Sequence, residues 1–145
     1  MMLKDLVFLT NTDTTIGFVS QNSTKLDFIK NRPPHKKYIK AINSLKTLKQ
    51  HTRVPKRFKN QIRRQKKATF ILPSGNSYRV IRDKSHLQLL HRLKWAYTTS
   101  ANLSGKEYDE VFATKSADIV IYPLKPTNKT STIYKINNIQ IKRIR

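Results

Sequence analysis

Between Lys25 and Lys67 the chain carries sixteen lysines and arginines and one acid, Asp27, a net of +15 over 43 residues. Over the whole chain 30 Lys and Arg face eight Asp and Glu, giving +22. Such an excess repels itself in the folded state and attracts polyanions. The stretch PKRFKNQIRRQKK from Pro55 has only Phe58 and Ile62 as apolar anchors, four apart, with basic residues on its remaining faces. One narrow stripe of that kind predicts a surface helix running from Pro55 to about Lys66. The charge has two readings. It is either an RNA or nucleotide surface, where displaced counterions drive binding, or a solvated face in a chain biased toward Lys, Asn and Ile.

The core must come from short apolar runs. At 145 residues, 37% of them apolar, there is room for a single domain over 1–145. No run approaches the roughly 18–20 apolar residues of a membrane span, and no secretory signal pattern is visible, so a soluble cytoplasmic protein with no membrane partner is expected. The absence of cysteine excludes disulfides, zinc ribbons and thiol catalysis. The histidines, His35, His51, His86 and His91, show no metal-ligand spacing and read as surface or helix residues. No metal site from protein side chains is expected. Neither a Ser-His-Asp arrangement nor a Walker A loop is present.

Along the chain, Leu3–Leu9 reads as a buried strand leading into a Thr- and Asp-rich loop, TNTDTTIGF. Asn22 or Ser23 caps a helix over Thr24–Lys30 with Leu26, Ile29 and Phe28 turned inward. Asn31-Arg32-Pro33-Pro34 ends it. Tyr38–Ile42 alternates as a strand, and Leu45 and Leu48 mark a short helix. ATFIL (68–72) and SYRVI (77–81) flank Pro73-Ser74-Gly75-Asn76 as a hairpin. Asp83 or Ser85 caps a helix carrying Leu87, Leu90 and Leu93. Further strands are expected at Trp95–Thr98, Asp118–Tyr122, Ser131–Ile136 and Ile139–Ile144, with a short helix over Tyr108–Thr114. The fold class is therefore α/β (α+β), a mixed sheet with flanking helices.

Five stretches carry candidate chemistry. TNTDTTIGF follows a strand, where ligands of open sheets bind, although an ordinary Asx or Ser/Thr turn explains it equally. Lys30-Asn31-Arg32-Pro33, with Lys36 and Lys37 behind it, forms either a stiff phosphate clamp or a helix C-terminal charge pair. Thr69 and Arg79 are polar residues in core strands and need partners. Thr98-Thr99-Ser100-Ala101-Asn102-Leu103-Ser104-Gly105 ends a strand in hydroxyls, an amide and a glycine turn, which together offer short donors to an anion.

The order Thr-Asp-Thr…Gly, Lys-x-Arg-Pro…Lys, Thr-x-x-Leu-Pro, Arg-Val, Thr-Ser-Ala-Asn-x-Ser-Gly and Ser-Thr-Ile resembles the YrdC/TsaC family of threonylcarbamoyl-AMP synthases, from Val7 to Arg145. The resemblance implies a twisted open mixed sheet around a concave basic cavity. It also implies a nucleotidyltransferase reaction in which L-threonine, bicarbonate and ATP give threonylcarbamoyl-AMP and pyrophosphate, for modification of tRNA adenosine 37. Mg²⁺ would accompany ATP and share the pyrophosphate charge, and downstream threonylcarbamoyl-transfer proteins would be partners.

On the matching motifs, Thr14 would meet threonine. Lys30 and Arg32 would bind ATP phosphates, and Thr69 would line the nucleotide pocket. Ser100 and Asn102 would contact the nucleotide, with Ser131 and Arg145 closing on the phosphates and Arg143 as the alternative arginine. No proton-transfer residue is implied. Lys36, Lys37, Lys56, Arg57, Arg63 and Arg64 are the expected RNA surface. The chain departs from the family pattern at Asn11, Ile16, Lys37, Ile81, Gln65-Lys66-Lys67 and Asn128-Lys129-Thr130, and its Arg32–Thr69 segment is short. Those departures, with the +15 segment, support an alternative: a noncatalytic YrdC-like binder of tRNA or double-stranded RNA. A basic ribosomal-type protein accounts for the charge but not for the ordered motifs.

Overall fold

The computed structural model describes residues 2–33, 36–127 and 129–145. Nine strands form one mixed sheet: β1 (Phe8–Asn11), β2 (Ile16–Ser20), β3 (Ile39–Ile42), β4 (Ala68–Ile71), β5 (Ser77–Val80), β6 (Trp95–Ser100), β7 (Ile119–Val120), β8 (Thr132–Ile136) and β9 (Ile141–Arg143). Their order across the sheet is β7-β1-β2-β6-β3-β5-β4-β8-β9. Pairing is parallel at β1/β7, β3/β5 and β4/β8, and antiparallel elsewhere. Five α-helices flank it: α1 (Ser23–Lys30), α2 (Leu45–His51), α3 (Lys59–Arg64), α4 (Lys84–Leu93) and α5 (Glu110–Ser116). The expected α/β mixed sheet with flanking helices is therefore present.

Side chains alternate between the faces of a strand, so the register sorts the sheet into two surfaces. On one face Phe18 packs with Leu26 of α1 and Ala113 of α5, and Ile42, Phe70 and Tyr78 pack with Leu48 of α2 and Ile62 of α3. On the other face Phe8, Val19, Ala41 and Ala96 pack with Leu90 and Leu93 of α4. Two helix pairs thus cover one face, while among the described helices α4 alone covers the other.

Local signals set the helix ends. Asn22, Ser44, Asp83 and Asp109 each accept a backbone N–H of the first turn of α1, α2, α4 and α5, which satisfies donors that a helix start leaves free. Asn31 terminates α1 in the left-handed region, φ 51°, a conformation asparagine tolerates.

Several expectations change. Leu3–Asp5 is a 3₁₀ turn and β1 begins only at Phe8. The Thr-rich loop is shorter than expected, because Ile16–Ser20 is a strand, buried throughout. Its run IGFVS is covered on both faces and so lacks the alternation that marks a half-exposed strand. Phe28 points outward, 88% exposed, since Leu26 and Ile29 already fill the inner stripe of α1. The helix expected from Pro55 is a 3₁₀ turn at Lys56–Phe58 followed by α3. Helix α5 begins and ends two residues later than expected, β7, β8 and β9 are trimmed by one or two residues at their ends, and β6 runs two residues past Thr98 to Ser100. His86 is a helix residue of α4, as one of the two expectations for the histidines had it, and is buried. Pro34, His35 and Asn128 lie outside the described residues.

The two phenylalanines separate burial from composition. Phe18→Ala removes a ring with no exposed surface and is expected to cost about 3–5 kcal/mol in urea unfolding. Phe28→Ala is expected to stay within about 0.5 kcal/mol of the parent.

Candidate nucleotide cavity

On the α4 face each strand changes chemistry along its length. In β6 the side chains run Ala96, Thr98, Ser100; in β1 they run Phe8, Thr10 and then Thr12 just past the strand; in β2, Val19 gives way to Gly17; in β5 Ile81 just past the strand gives way to Arg79. The apolar members meet α4. Thr10 stays beside α4, whereas Thr12, Gly17, Arg79, Thr98 and Ser100 line a cavity of about 290 Å³, together with Thr14, Arg32, Lys37, Ser131 and Arg145. Gly17 permits this approach, because a Cβ there would stand 2.9 Å from the Thr99 carbonyl oxygen and 3.0 Å from Thr12 Cγ2.

The rim is tied together by Lys30. At the last turn of α1 it is 3% exposed, and its ammonium donates to the Ser100 carbonyl at 2.6 Å and to Asn102 Oδ1 at 3.4 Å. Ser100 Oγ also donates to Asn102 Oδ1, and the Asn102 amide nitrogen donates to the carbonyls of Leu103 and Lys106 at 2.9 and 2.7 Å. The hydroxyl-amide turn is therefore folded around the Lys30 head group. Burial, and secondly the Arg32 guanidinium, pull the Lys30 pKa down to about 8.

The left-handed Asn31 turns the chain so that Arg32 follows into the cavity. Arg32 donates to the Lys37 carbonyl at 2.9 Å, and its guanidinium carbon lies 4.4 Å from the Tyr38 ring centroid. The Tyr38 hydroxyl in turn donates to Asp27 at 2.6 Å. Burial and the nearby carboxylate push that hydroxyl's pKa well up.

Across the cavity, Thr69 and Ser131 share a buried hydroxyl–hydroxyl bond of 2.8 Å. Arg145 donates to the Ser131 carbonyl at 3.0 and 3.2 Å and to its hydroxyl at 3.3 Å. Arg143 is exposed and its Nε donates to the Arg145 carbonyl. Thr14 is 8% exposed, and its hydroxyl accepts from Arg79 at 3.3 Å. Arg79 also forms a buried ion pair with Asp13. Behind this pair lies His86, whose two ring nitrogens have no protein partner among the described residues. Burial pulls its pKa to about 4, with Arg79 adding to the effect against Asp13 and Asp83.

Of the residues singled out in the sequence, Thr14, Arg32, Ser100, Ser131 and Arg145 line the cavity, and so does Lys37 from the RNA set. Lys30, Asn102 and Thr69 stand behind the wall, each bonded to a lining residue or to its turn. Lys56, Arg57, Arg63 and Arg64 are exposed around α3, which packs on the opposite face of the sheet. The sequence placed Thr12 and Thr98 within candidate stretches without a role of their own, and did not pair Asp13 with Arg79. Its only signal was that a strand arginine such as Arg79 requires a polar partner.

Among the described residues no carboxylate lines the cavity, and no group of three or more His, Cys, Asp or Glu could hold a metal. Its charged walls are cationic. No helix of the structure is long and apolar enough to cross a membrane.

No protein-family model matches this chain. It is 30% identical over 156 residues to an uncharacterized protein of Mycoplasma pneumoniae described as a homolog of MG259, covering 97% of this chain and 32% of the relative. This chain therefore spans about a third of that relative's length. P. abyssi Sua5 complexed with L-threonine superposes with a TM-score of 0.81 at 17% identity, over 97% of this chain and 50% of Sua5. E. coli YciO superposes with a TM-score of 0.75 at 17% identity, over 97% of this chain and 82% of YciO. The chain has the YrdC-like fold of these structures.

Proposed function

We propose that this chain is an L-threonylcarbamoyladenylate synthase that takes ATP, L-threonine and bicarbonate in the cavity beyond α4. The observation that supports the reading best is the convergence of Arg32, Ser100, Ser131 and Arg145 on one concave space, with Lys30 fixed to the Ser100–Asn102 turn. The walls supply cations and hydroxyls and no competing carboxylate among the described residues, a composition suited to a polyphosphate.

In this reading the amine of threonine has combined with bicarbonate to form a carbamate, with loss of one water. A carbamate oxygen attacks the α-phosphorus of ATP, the bond to the β-phosphoryl oxygen breaks, and pyrophosphate leaves. Two anions must be brought together, so the protein's task is charge neutralisation and alignment. Arg32 and Arg145 hold phosphates from opposite walls. Ser100 and Ser131 donate short hydrogen bonds, and Asn102 holds the Ser100 turn in shape. Thr69 orients the Ser131 hydroxyl. Thr14, whose hydroxyl accepts from Arg79, meets threonine in this reading. Mg²⁺ would be held by the substrate's own phosphates, since the cavity offers it no carboxylates. L-threonine is the molecule found with the structurally similar Sua5 of P. abyssi. The runner-up is a noncatalytic RNA binder, favoured by the exposed cations around α3.

Calorimetry separates the two. ATP should bind, and pyrophosphate should be released only when threonine and bicarbonate are both present. ATP binding without any such release would sink the synthase reading in favour of the noncatalytic one. Arg32→Ala should weaken ATP binding about ten- to a hundredfold, the loss of a charge-assisted contact of about 1.5–3 kcal/mol, whereas Arg143→Ala should leave it near the parent value.

Lys30 gives the binding a pH signature. A neighbouring phosphate favours the charged ammonium, so the pKa near 8 in the free protein rises when ATP is bound. ATP affinity should therefore be level below pH 8 and fall as pH rises above it, by up to about tenfold per pH unit until the bound-state pKa is passed. Lys30→Met should flatten that profile. An unchanged slope in the variant would remove Lys30 from the phosphate site.

A further inference from the structure

The face of the sheet opposite the cavity holds a second concavity, which the ATP reading leaves unused. It is walled by Ser23 and Asp27 of α1 and by Asn76 of the β4–β5 turn. Between them Lys40 of β3, Tyr78 of β5 and Tyr97 of β6 floor a groove of about 250 Å³, with Lys36 and Lys37 also lining it. Its chemistry is cationic and aromatic. The Lys40 ammonium lies 4.5 Å from the Trp95 ring centroid and 5.4 Å from that of Tyr97. Tyr97 stands edge-on to Trp95 at 5.3 Å and tilted to Tyr38 at 6.1 Å, and His51 extends the row to 5.4 Å from Trp95. Asp27, the one carboxylate among the described lining residues, already accepts the Tyr38 hydroxyl at 2.6 Å. Three lysines, Lys36, Lys37 and Lys40, thus face one engaged carboxylate, a balance that favours an anion.

We propose that this groove binds an unpaired nucleotide of a single-stranded RNA, its base against Tyr97, which Trp95 backs edge-on, and its flanking phosphates on Lys36 and Lys37. Aromatic rings accept any base face, and lysines track a phosphate backbone. A recess beside α1 admits a splayed base, whereas a duplex keeps its base faces stacked within the helix. An acidic peptide would use the lysines but leave the aromatic row without a function. The groove lies across the sheet from the ATP cavity, and the inference stands whether or not that cavity turns over.

The test is fluorescence anisotropy with a short labelled single-stranded RNA, its duplex form and a poly-glutamate peptide. The single strand should bind tightest. Tyr97→Leu should weaken it about tenfold or more, the scale of one lost base–aromatic stack, while Tyr97→Phe should retain binding. Lys36→Ala combined with Lys37→Ala should reduce the salt slope by about 1.4, from two single-strand phosphate contacts at ~0.7 each. Lys40→Gln should lower RNA affinity and leave ATP binding unchanged, which keeps the two sites distinguishable. A 4-thiouridine photo-crosslink should map to β3 or β6, and this arm decides the matter if Tyr97→Leu does not fold. Duplex or poly-glutamate binding as tightly as the single strand, indifference to Tyr97→Leu in a folded protein, or crosslinks confined to α3 would each overturn the inference.

Discussion

Lys30 is a cation buried without a carboxylate. Its ammonium is held by a backbone carbonyl and an amide oxygen, dipoles that solvate the charge but do not cancel it. Removing a charge from water is tolerated only when other groups replace its hydration, and here the replacement groups are those of the Ser100–Asn102 turn. The turn's shape, the end of α1 and the direction taken by Arg32 all follow from that arrangement. The uncancelled charge leaves a positive potential behind the cavity wall. Arg79 behaves differently, since Asp13 neutralises it and its other contact goes to the Thr14 hydroxyl. One buried cation is thus kept for attraction and the other for positioning.

The cavity exists because α4 is short. Ten residues span about 15 Å at the α-helical rise, enough to cover the apolar end of each strand on its face and no more. Toward the cavity, strand residues switch from Val19 and Ala96, which pack on α4, to Gly17 and Thr98. Local sequence choice and tertiary coverage agree at the same boundary, which is the kind of consistency a uniquely folded chain displays.

Most helices could be read directly from the sequence, because capping residues and 3.6-residue periodicity are local. Asn22 and Asp83 cap where their positions indicate. Strand β2 could not be read, since a strand enclosed on both faces lacks alternation. Phe28 misled because hydrophobicity alone does not say which stripe of a short helix faces inward. The clamp and the hydroxyl turn stood out as separate motifs 70 residues apart, and only the β2–β6–β3 adjacency explains how they meet. The Tyr38–Tyr97–Trp95–His51 row left no mark in the sequence, since its members come from the segment before β3, from β6 and from α2.

Lys37 borders both concavities. An anion settled on one side of the sheet therefore draws on the same ammonium as an anion on the other, and each occupant finds less positive potential when its neighbour is present. The two events become antagonistic, and by thermodynamic reciprocity the penalty is identical in either direction. Occupancy on one side of the sheet would thus be felt on the other through the residues common to both, Lys37 and Tyr38, without any moving domain.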